Sequence, residues 1–413
     1  MVEAVCETRA PLSAVLEASP DETLSPRDAA LARAIVRTAV RRRGDIDHVL
    51  ARLMTKKLPR KAAPVRAVLR TAAAQLLFMR QADHAAVHVA VDLLKSNAST
   101  GGYAGLANAV LRRLVRERDE LLAALPVGAN TPAWLYSRWA SHYGEPAAAA
   151  MAAIHREEPP LDLSLAPGTT LPEGAAPLPT GGARLAAGGP IDAIEGYAEG
   201  GWWVQDVAAQ LPALALGDVA GKHVLDLCAA PGGKTMQLAA AGARVTAVEV
   251  DAGRAARLGE NLARTRLAER VEVIVADARD VTGTFDAVLL DAPCSATGTL
   301  RRQPDVAWSK VVTDIAALAR LQRTLIVHAA ERVRPGGSLV YATCSLEPEE
   351  GERQCDFVAA EVPSLALEPI AEGPAAAFAN PAGVVRTLPH RPLPGQGGLV
   401  GLDGFFAARF RRL

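Results

Sequence analysis

From Gln205 onward the chain repeats one unit, a short β-branched or aliphatic run followed by a turn and a helical stretch. Such runs fall at 222–227, 244–250, 271–276, 285–290 and 338–342, with helix-forming sequence between them. Strands that alternate with helices lie parallel, because each helical crossover returns the chain to the same end of the sheet. The pattern therefore predicts an α/β, Rossmann-like, doubly wound and mostly parallel sheet. A ligand of such a sheet sits beyond the carboxyl ends of the strands, where the strand order reverses. Each motif described below falls at a strand end of this kind.

The preceding residues obey a different period. Between Ser25 and Arg118 apolar residues recur three and four apart, as in Leu31, Ile35, Val36 and Val40, or Val65, Val68, Leu69 and Leu76. Ser25-Pro26 offers a cap followed by a first-turn proline, and residues 99–102 interrupt the later helices before Leu106 restarts them. An all-α domain is expected over 1–125 and the sheet domain over 206–413. Residues 126–205 read as an intermediate, RNA-contacting region. Its first part carries helix signals with Trp134, Tyr136, Trp139 and Tyr143, and its second, from Pro159 to Gly201, is rich in Pro, Gly and Ala and predicts loops and short strands.

Equal numbers of basic and acidic residues, 45 of each, conceal an uneven distribution. Residues 1–125 hold 20 Lys/Arg against 13 Asp/Glu, leaving 25 against 32 in the rest. Ten of the basic residues lie between Arg41 and Arg70, opposed there only by Asp45 and Asp47. Such a patch suits phosphates, although a solvated helix face has the same composition. The five cysteines are too few and scattered for a disulfide framework or a CxxC metal site, so they read as reduced thiols with no metal. No apolar run approaches the roughly 20 residues that span a bilayer, and the first residues lack the features of a secretory signal. A cytoplasmic protein without a membrane partner, acting as a monomer, is the expectation.

The run His223 to Leu227 leads into Cys228-Ala229-Ala230-Pro231-Gly232-Gly233-Lys234-Thr235, which opens a helix. Small residues at a helix N-terminus let backbone amides approach a ligand closely. The segment is not a P-loop, since Cys228 occupies the position of the first glycine, and it lacks GxGxxG. The next strand ends at Glu249, suited to ribose hydroxyls, and the third at Asp277, whose side chain or neighbouring amide suits an adenine amine. An acid at a strand end can equally be a helix cap; three successive ones behind a glycine loop favour a nucleotide-like cofactor.

The fourth strand delivers Asp291-Ala292-Pro293-Cys294, and the fifth Thr343-Cys344-Ser345. A single cysteine after a strand is usually a small buried hydrophobe, but two converging on one cleft call for chemistry. Carbon 5 of a pyrimidine attacks a sulfonium methyl only after a nucleophile has added at carbon 6. A thiolate suits that addition and the later elimination, provided the local field favours the charged form. After methylation a base must remove the carbon 5 proton before the thiol leaves. Asp291 is placed to bond the ring nitrogen or exocyclic amine, with Lys234 orienting it or a neighbouring carboxylate. The residues alone leave open which thiol attacks.

Asp226 to Thr235, Asp291 to Thr299 continuing through Asp305, and Thr343-Cys344-Ser345 resemble the Sun family of RNA cytosine-5 methyltransferases. The resemblance runs over about residues 200–413, including the closing strand from Gly404 to Phe410. The front resembles the NusB-like RNA-binding helical domain, through Pro26-Arg27-Asp28 to Arg41 and Gly105 to Arg113. What it implies is a seven-stranded class I methyltransferase sheet behind a NusB-like domain, methylating small-subunit ribosomal RNA. It further implies Cys344 as the nucleophile, Cys294 assisting product release, and Asp291 on the base. The loop Cys228 to Lys234, comprising Cys228, Ala229, Ala230, Pro231, Gly232, Gly233 and Lys234, would hold S-adenosylmethionine together with Glu249, Asp277 and Asp291. Residues 159–200 depart from the family in being poor in basic residues, which leaves tRNA or another structured RNA as an alternative target. Two other readings compete: a nicotinamide-dependent oxidoreductase on the same sheet, disfavoured by the missing GxGxxG, and a non-catalytic RNA-binding assembly factor.

Overall fold

The computed structural model describes residues 1–18, 24–79, 81–186, 189–396 and 398–413. It divides into two units, residues 1–157 with 302–310, and residues 158–301 with 311–413. The intermediate region expected over 126–205 is therefore not a unit of its own, for its helices belong to the first unit and its strands to the second.

In the first unit the helix Ala63–Phe78 is the axis. Leu69, Ala73, Ala74 and Leu76 are buried along it, and it packs against Val2–Thr8, Pro26–Arg41, Arg43–Leu53, Asp83–Lys95 and Ala104–Arg116. A helix apolar around most of its circumference has to be surrounded in this way. Ser25 accepts the Asp28 amide at 3.2 Å ahead of Pro26, the expected cap, stabilising the helix by about 1 kcal/mol. Val36 and Val40 are buried as the period requires, whereas Leu31 is exposed. Ala133–Tyr143 carries the aromatic cluster, with Trp139 buried edge-on against His155.

Much of the basic run is structural. Arg70, buried, holds both oxygens of Asp47 at 2.7 and 2.9 Å and reaches Glu7, which Arg66 also binds. Arg42 and Arg156 share the buried Asp45. What remains exposed is Arg52, Lys56, Lys57, Arg60 and Lys61.

The second unit opens with a small antiparallel sheet of β1 (Leu161–Leu165), β2 (Ala176–Pro177), β3 (Ala183–Leu185) and β4 (Trp202–Val204), in the order β2-β3-β1-β4. A buried pair, Arg184 on Asp162 at 2.6 and 2.8 Å, ties its centre. The large sheet follows: β5 (His223–Leu227), β6 (Arg244–Glu249), β7 (Val271–Val275), β8 (Phe285–Asp291), β9 (Val333–Thr343), β10 (Leu365–Leu367), β11 (Val385–Thr387) and β12 (Phe405–Arg412). Seven strands run in the order β10-β12-β9-β8-β5-β6-β7, and β11 adds an eighth by pairing with β12. β5 to β9 are mutually parallel, while β10, β11 and β12 are joined antiparallel.

Val224, Leu225, Val288, Leu289, Leu339 and Val340 are all buried because helices cover both faces. Helices Val207–Ala215, Gly233–Ala240 and Ala252–Arg264 pack on one side, Val312–Arg332 and Glu352–Glu361 on the other. The strand order reverses between β5 and β8, whose last pairing is Leu227 with Leu290. No helix of the described residues is long and apolar enough to cross a membrane.

Candidate active site at the strand ends

At the end of β5 the backbone turns through Cys228 at φ 61°, a left-handed conformation that a side chain rarely adopts. The Ala229 amide then bonds to the Val248 carbonyl at 3.0 Å and the Ala230 amide to Glu249 at 3.3 Å, so the loop lies over the end of β6. Gly232 has φ 104°, and a Cβ there would meet Leu258 Cδ1 at 2.3 Å; only glycine lets the helix Gly233–Ala240 begin so close to its neighbour. The result is a shallow cradle of backbone at a helix N-terminus, where free amides and the helix dipole favour an anionic or carbonyl-bearing ligand.

Beneath the cradle Asp226 is wholly buried. Its Oδ2 accepts from Thr235 Oγ1 at 2.6 Å, and its Oδ1 has no protein partner among the described residues. Burial pushes the carboxyl up to about 7 against the opposing influence of the Thr235 bond and Lys234.

The three acids chosen from the sequence occupy different settings. Glu249 is buried and tied into the cradle: Oε1 accepts from the Asp251 amide at 3.1 Å, Oε2 from the Ala230 amide, and Arg254 lies against the carboxylate at 3.1 Å. Asp277 is half-exposed, caps the turn Ala278–Asp280, and is clasped by Arg279 at 2.6 and 2.9 Å, which holds its carboxyl down at about 2. Asp291, at the end of β8, receives Lys234 Nζ on Oδ2 at 2.7 Å; Lys234 also stands 5.1 Å from the Phe405 ring centroid. That pair joins the helix after β5 to β8 across the reversal point.

Cys294 and Cys344 are brought together, with Sγ atoms 3.4 Å apart. The contact with Cys344 and then burial push the Cys294 thiol well above its ordinary range. Gly298 makes the meeting of the two loops possible. Its amide bonds to the Cys344 carbonyl at 3.0 Å, its carbonyl accepts from the Gly404 amide at 2.8 Å, and a Cβ on it would lie 1.8 Å from the Gly404 oxygen. Cys6 is buried in the helical core, and burial pushes Cys228 and Cys355 each up to about 12.

Residues that sequence reasoning missed form a polar layer below the thiols. Ser295, Thr297, Ser345, Gln322 and Glu350 are all buried there and hydrogen-bonded to one another. Glu350 stands in the acidic run Glu347-Pro348-Glu349-Glu350-Gly351-Glu352, which reads as solvated surface, so no spacing sets it apart. Nothing in the sequence marks Arg254 as the partner of Glu249 either.

A doubly wound sheet with a glycine cradle at one strand end and paired thiols at two others defines a methyltransferase architecture, here behind an all-helical domain. Family comparison agrees: the 16S rRNA methyltransferase RsmB/F model matches residues 213–411, and the NusB family model matches residues 2–116. The ribosomal RNA small subunit methyltransferase B of Erwinia tasmaniensis is 36% identical over 86% of this chain and 86% of its own. That of Xanthomonas campestris pv. campestris is 34% identical over 99% of this chain and 94% of its own. The chain belongs to the RsmB/F family of 16S rRNA methyltransferases, with a NusB-family domain in front. Two crystal structures share the fold: PH0851, with a TM-score of 0.74 at 23% identity over 100% of this chain and 99% of that one, and a methyltransferase homolog protein from Pyrococcus horikoshii, with a TM-score of 0.57 at 25% identity over 71% and 98%.

Proposed function

We propose that this protein transfers a methyl group from S-adenosylmethionine to carbon 5 of a cytosine in small-subunit ribosomal RNA, through a covalent bond between Cys344 and carbon 6. The observation that carries the reading is the contact of two thiols, 3.4 Å apart, in loops that leave adjacent strands beside the Lys234–Asp291 pair.

The residues fit the methyl donor. The glycine cradle presents backbone amides at a helix N-terminus to a ligand's amino-acid end, and Glu249, at the end of β6 and braced by Arg254, offers a carboxylate to ribose hydroxyls. The Asp277 turn offers backbone as well as a carboxylate to the adenine. When bound, S-adenosylmethionine supplies an electrophilic methyl group.

The protein's own groups perform the remaining steps. The Cys344 thiolate adds to carbon 6, which moves electron density to carbon 5, and Asp291, held by Lys234, hydrogen-bonds the base as that charge shifts. Once carbon 5 carries the methyl group a base takes the carbon 5 proton, and the electron pair of that C–H bond expels the Cys344 sulfur as a thiolate. Cys294, in contact with the departing sulfur, assists this release. The exposed Arg52, Lys56, Lys57, Arg60 and Lys61 are suited to RNA phosphates.

The test is methyl transfer to ribosomal RNA from cells lacking this gene product, with bisulfite mapping of the modified nucleotide. One cytosine protected only when the protein is present is the expected result. Absence of protection with active, cofactor-supplied protein overturns the reading.

A further inference from the structure

Glu350 ends the turn Pro348–Glu350 that follows Cys344 and is fully buried. Its carboxylate accepts from four donors. Oε1 takes the Ser295 amide at 2.9 Å and Gln322 Nε2 at 3.1 Å, and Oε2 takes the hydroxyls of Ser295 and of Ser345, the latter at 2.6 Å. Its backbone oxygen accepts from Tyr341 at 2.8 Å and Thr343 at 3.0 Å, both on β9. Ser295 directly follows Cys294 and Ser345 directly follows Cys344. One carboxylate thus holds the residue next to each thiol, and the same amino acid anchors the strand that carries one of them.

Stability is a poor explanation for such a group. A buried carboxylate costs several kcal/mol in lost hydration, and apolar side chains of similar volume commonly replace buried charges without loss. What a hydrophobe could not do is bond two loops at fixed distances. Burial pushes the Glu350 carboxyl up while its serine and glutamine donors act in the opposite direction. Its negative charge also adds, behind the Cys344 contact and burial, to the influences that keep Cys294 protonated.

We propose that Glu350 is a positioning residue for the methyl transfer, a clamp that sets the approach of the Cys294 and Cys344 sulfurs through Ser295 and Ser345. The role rests on the reaction proposed above, but the clamp itself makes a claim about sulfur geometry that needs no turnover.

The experiment compares Glu350→Ala, Glu350→Gln and the double variant Ser295→Ala/Ser345→Ala with the parent protein, in two assays. In steady-state methylation kcat is expected to fall about 100-fold in Glu350→Ala, as misplacement of reacting groups by about 1 Å does, with KM for donor and RNA little changed. Glu350→Gln, which keeps the shape and part of the bonding, should recover some of that loss. In the second assay dibromobimane bridges the two thiols and mass spectrometry counts the linked peptide, with expected bridging in the parent and its loss in the clamp variants.

A folded Glu350→Ala protein with unchanged kcat and unchanged bridging overturns the proposal. Should Glu350→Ala not fold, the double serine variant decides: it removes both hydroxyl bonds to Oε2, including the side-chain bond through which Ser345 reaches the carboxylate, while the Ser295 amide bond stays, and unchanged kcat and bridging there also overturn the proposal. If the parent protein transfers no methyl group, the functional reading fails, and the bridging assay alone still judges the clamp.

Discussion

The sulfurs of Cys294 and Cys344 stand 3.4 Å apart although fifty residues separate them in the chain. The proposed reaction uses that proximity, with Cys344 adding at carbon 6 and Cys294 assisting release. Cys344→Ala is expected to abolish methylation. Cys294→Ala is expected to leave the protein bonded to RNA, seen as a slow-migrating band on a denaturing gel. Retained methylation without that band would reverse or remove the assigned roles.

Lys234 gives Asp291 a counter-charge at 2.7 Å from a half-buried position. Lys234→Met keeps most of the stem and deletes the cation, leaving the carboxylate free to turn. Single-turnover methylation is expected to slow by about 100-fold, in the range found on removing one charge-stabilising donor. Lys234→Arg should rescue little, because a planar guanidinium does not reproduce a compact ammonium contact.

Asp226 links stability to pH. Its folded-state value, about 7, lies above the ordinary aspartate value of about 4, so the folded protein binds more protons than the unfolded chain between those limits. The associated stability is complete below about pH 4 and is lost as the pH rises through about 7. Urea midpoints of the cofactor-free protein should therefore decline less between pH 5 and 8 in Asp226→Asn than in the parent. Parallel curves would refute the assignment.

Gly232 is the tightest point of the cradle. Gly232→Ala adds a left-handed backbone cost of about 1–2 kcal/mol and forces Leu258 aside. Titration calorimetry should show S-adenosylmethionine binding weakened by about tenfold or more. Adding Leu258→Ala removes the clash 2.3 Å away and should restore part of the affinity, the backbone share remaining lost.

The exposed basic stretch predicts salt behaviour. Lys56→Gln, Lys57→Gln, Arg60→Gln and Lys61→Gln together should weaken RNA binding and lower the slope of log affinity against log salt by about 1 for each phosphate that is no longer neutralised. The thermal midpoint should hardly move, since these side chains are exposed. An unchanged slope would separate this surface from RNA.

The parallel strands were legible because their signal is local: a buried strand in such a sheet is a mostly apolar run, and Val288 to Leu290 announces itself. Both cysteines and Asp291 could be assigned to strand ends for the same reason. What stayed hidden depends on partners distant in the chain. Arg70 reads as part of a phosphate-binding patch until Glu7, sixty-three residues away, is seen to hold it. Glu350 reads as one acid in a solvated run until Ser295 and Gln322 close over it. The sheet over 161–204 has strands as short as two residues, so alternation never accumulates there.

β12 enters beside β9 with Phe406 opposite Thr343, and just ahead of it Gly404 bonds to Gly298 while Asp403 bonds to Asp206. During synthesis both thiols leave the ribosome well before residues 403–412 are made. Until β12 is threaded, the Gly298 carbonyl lacks its bond to Gly404 and the edge of β9 that leads to Cys344 is unpaired. The surroundings of the two thiols are therefore finished later than the thiols themselves, when β12 pairs with β9.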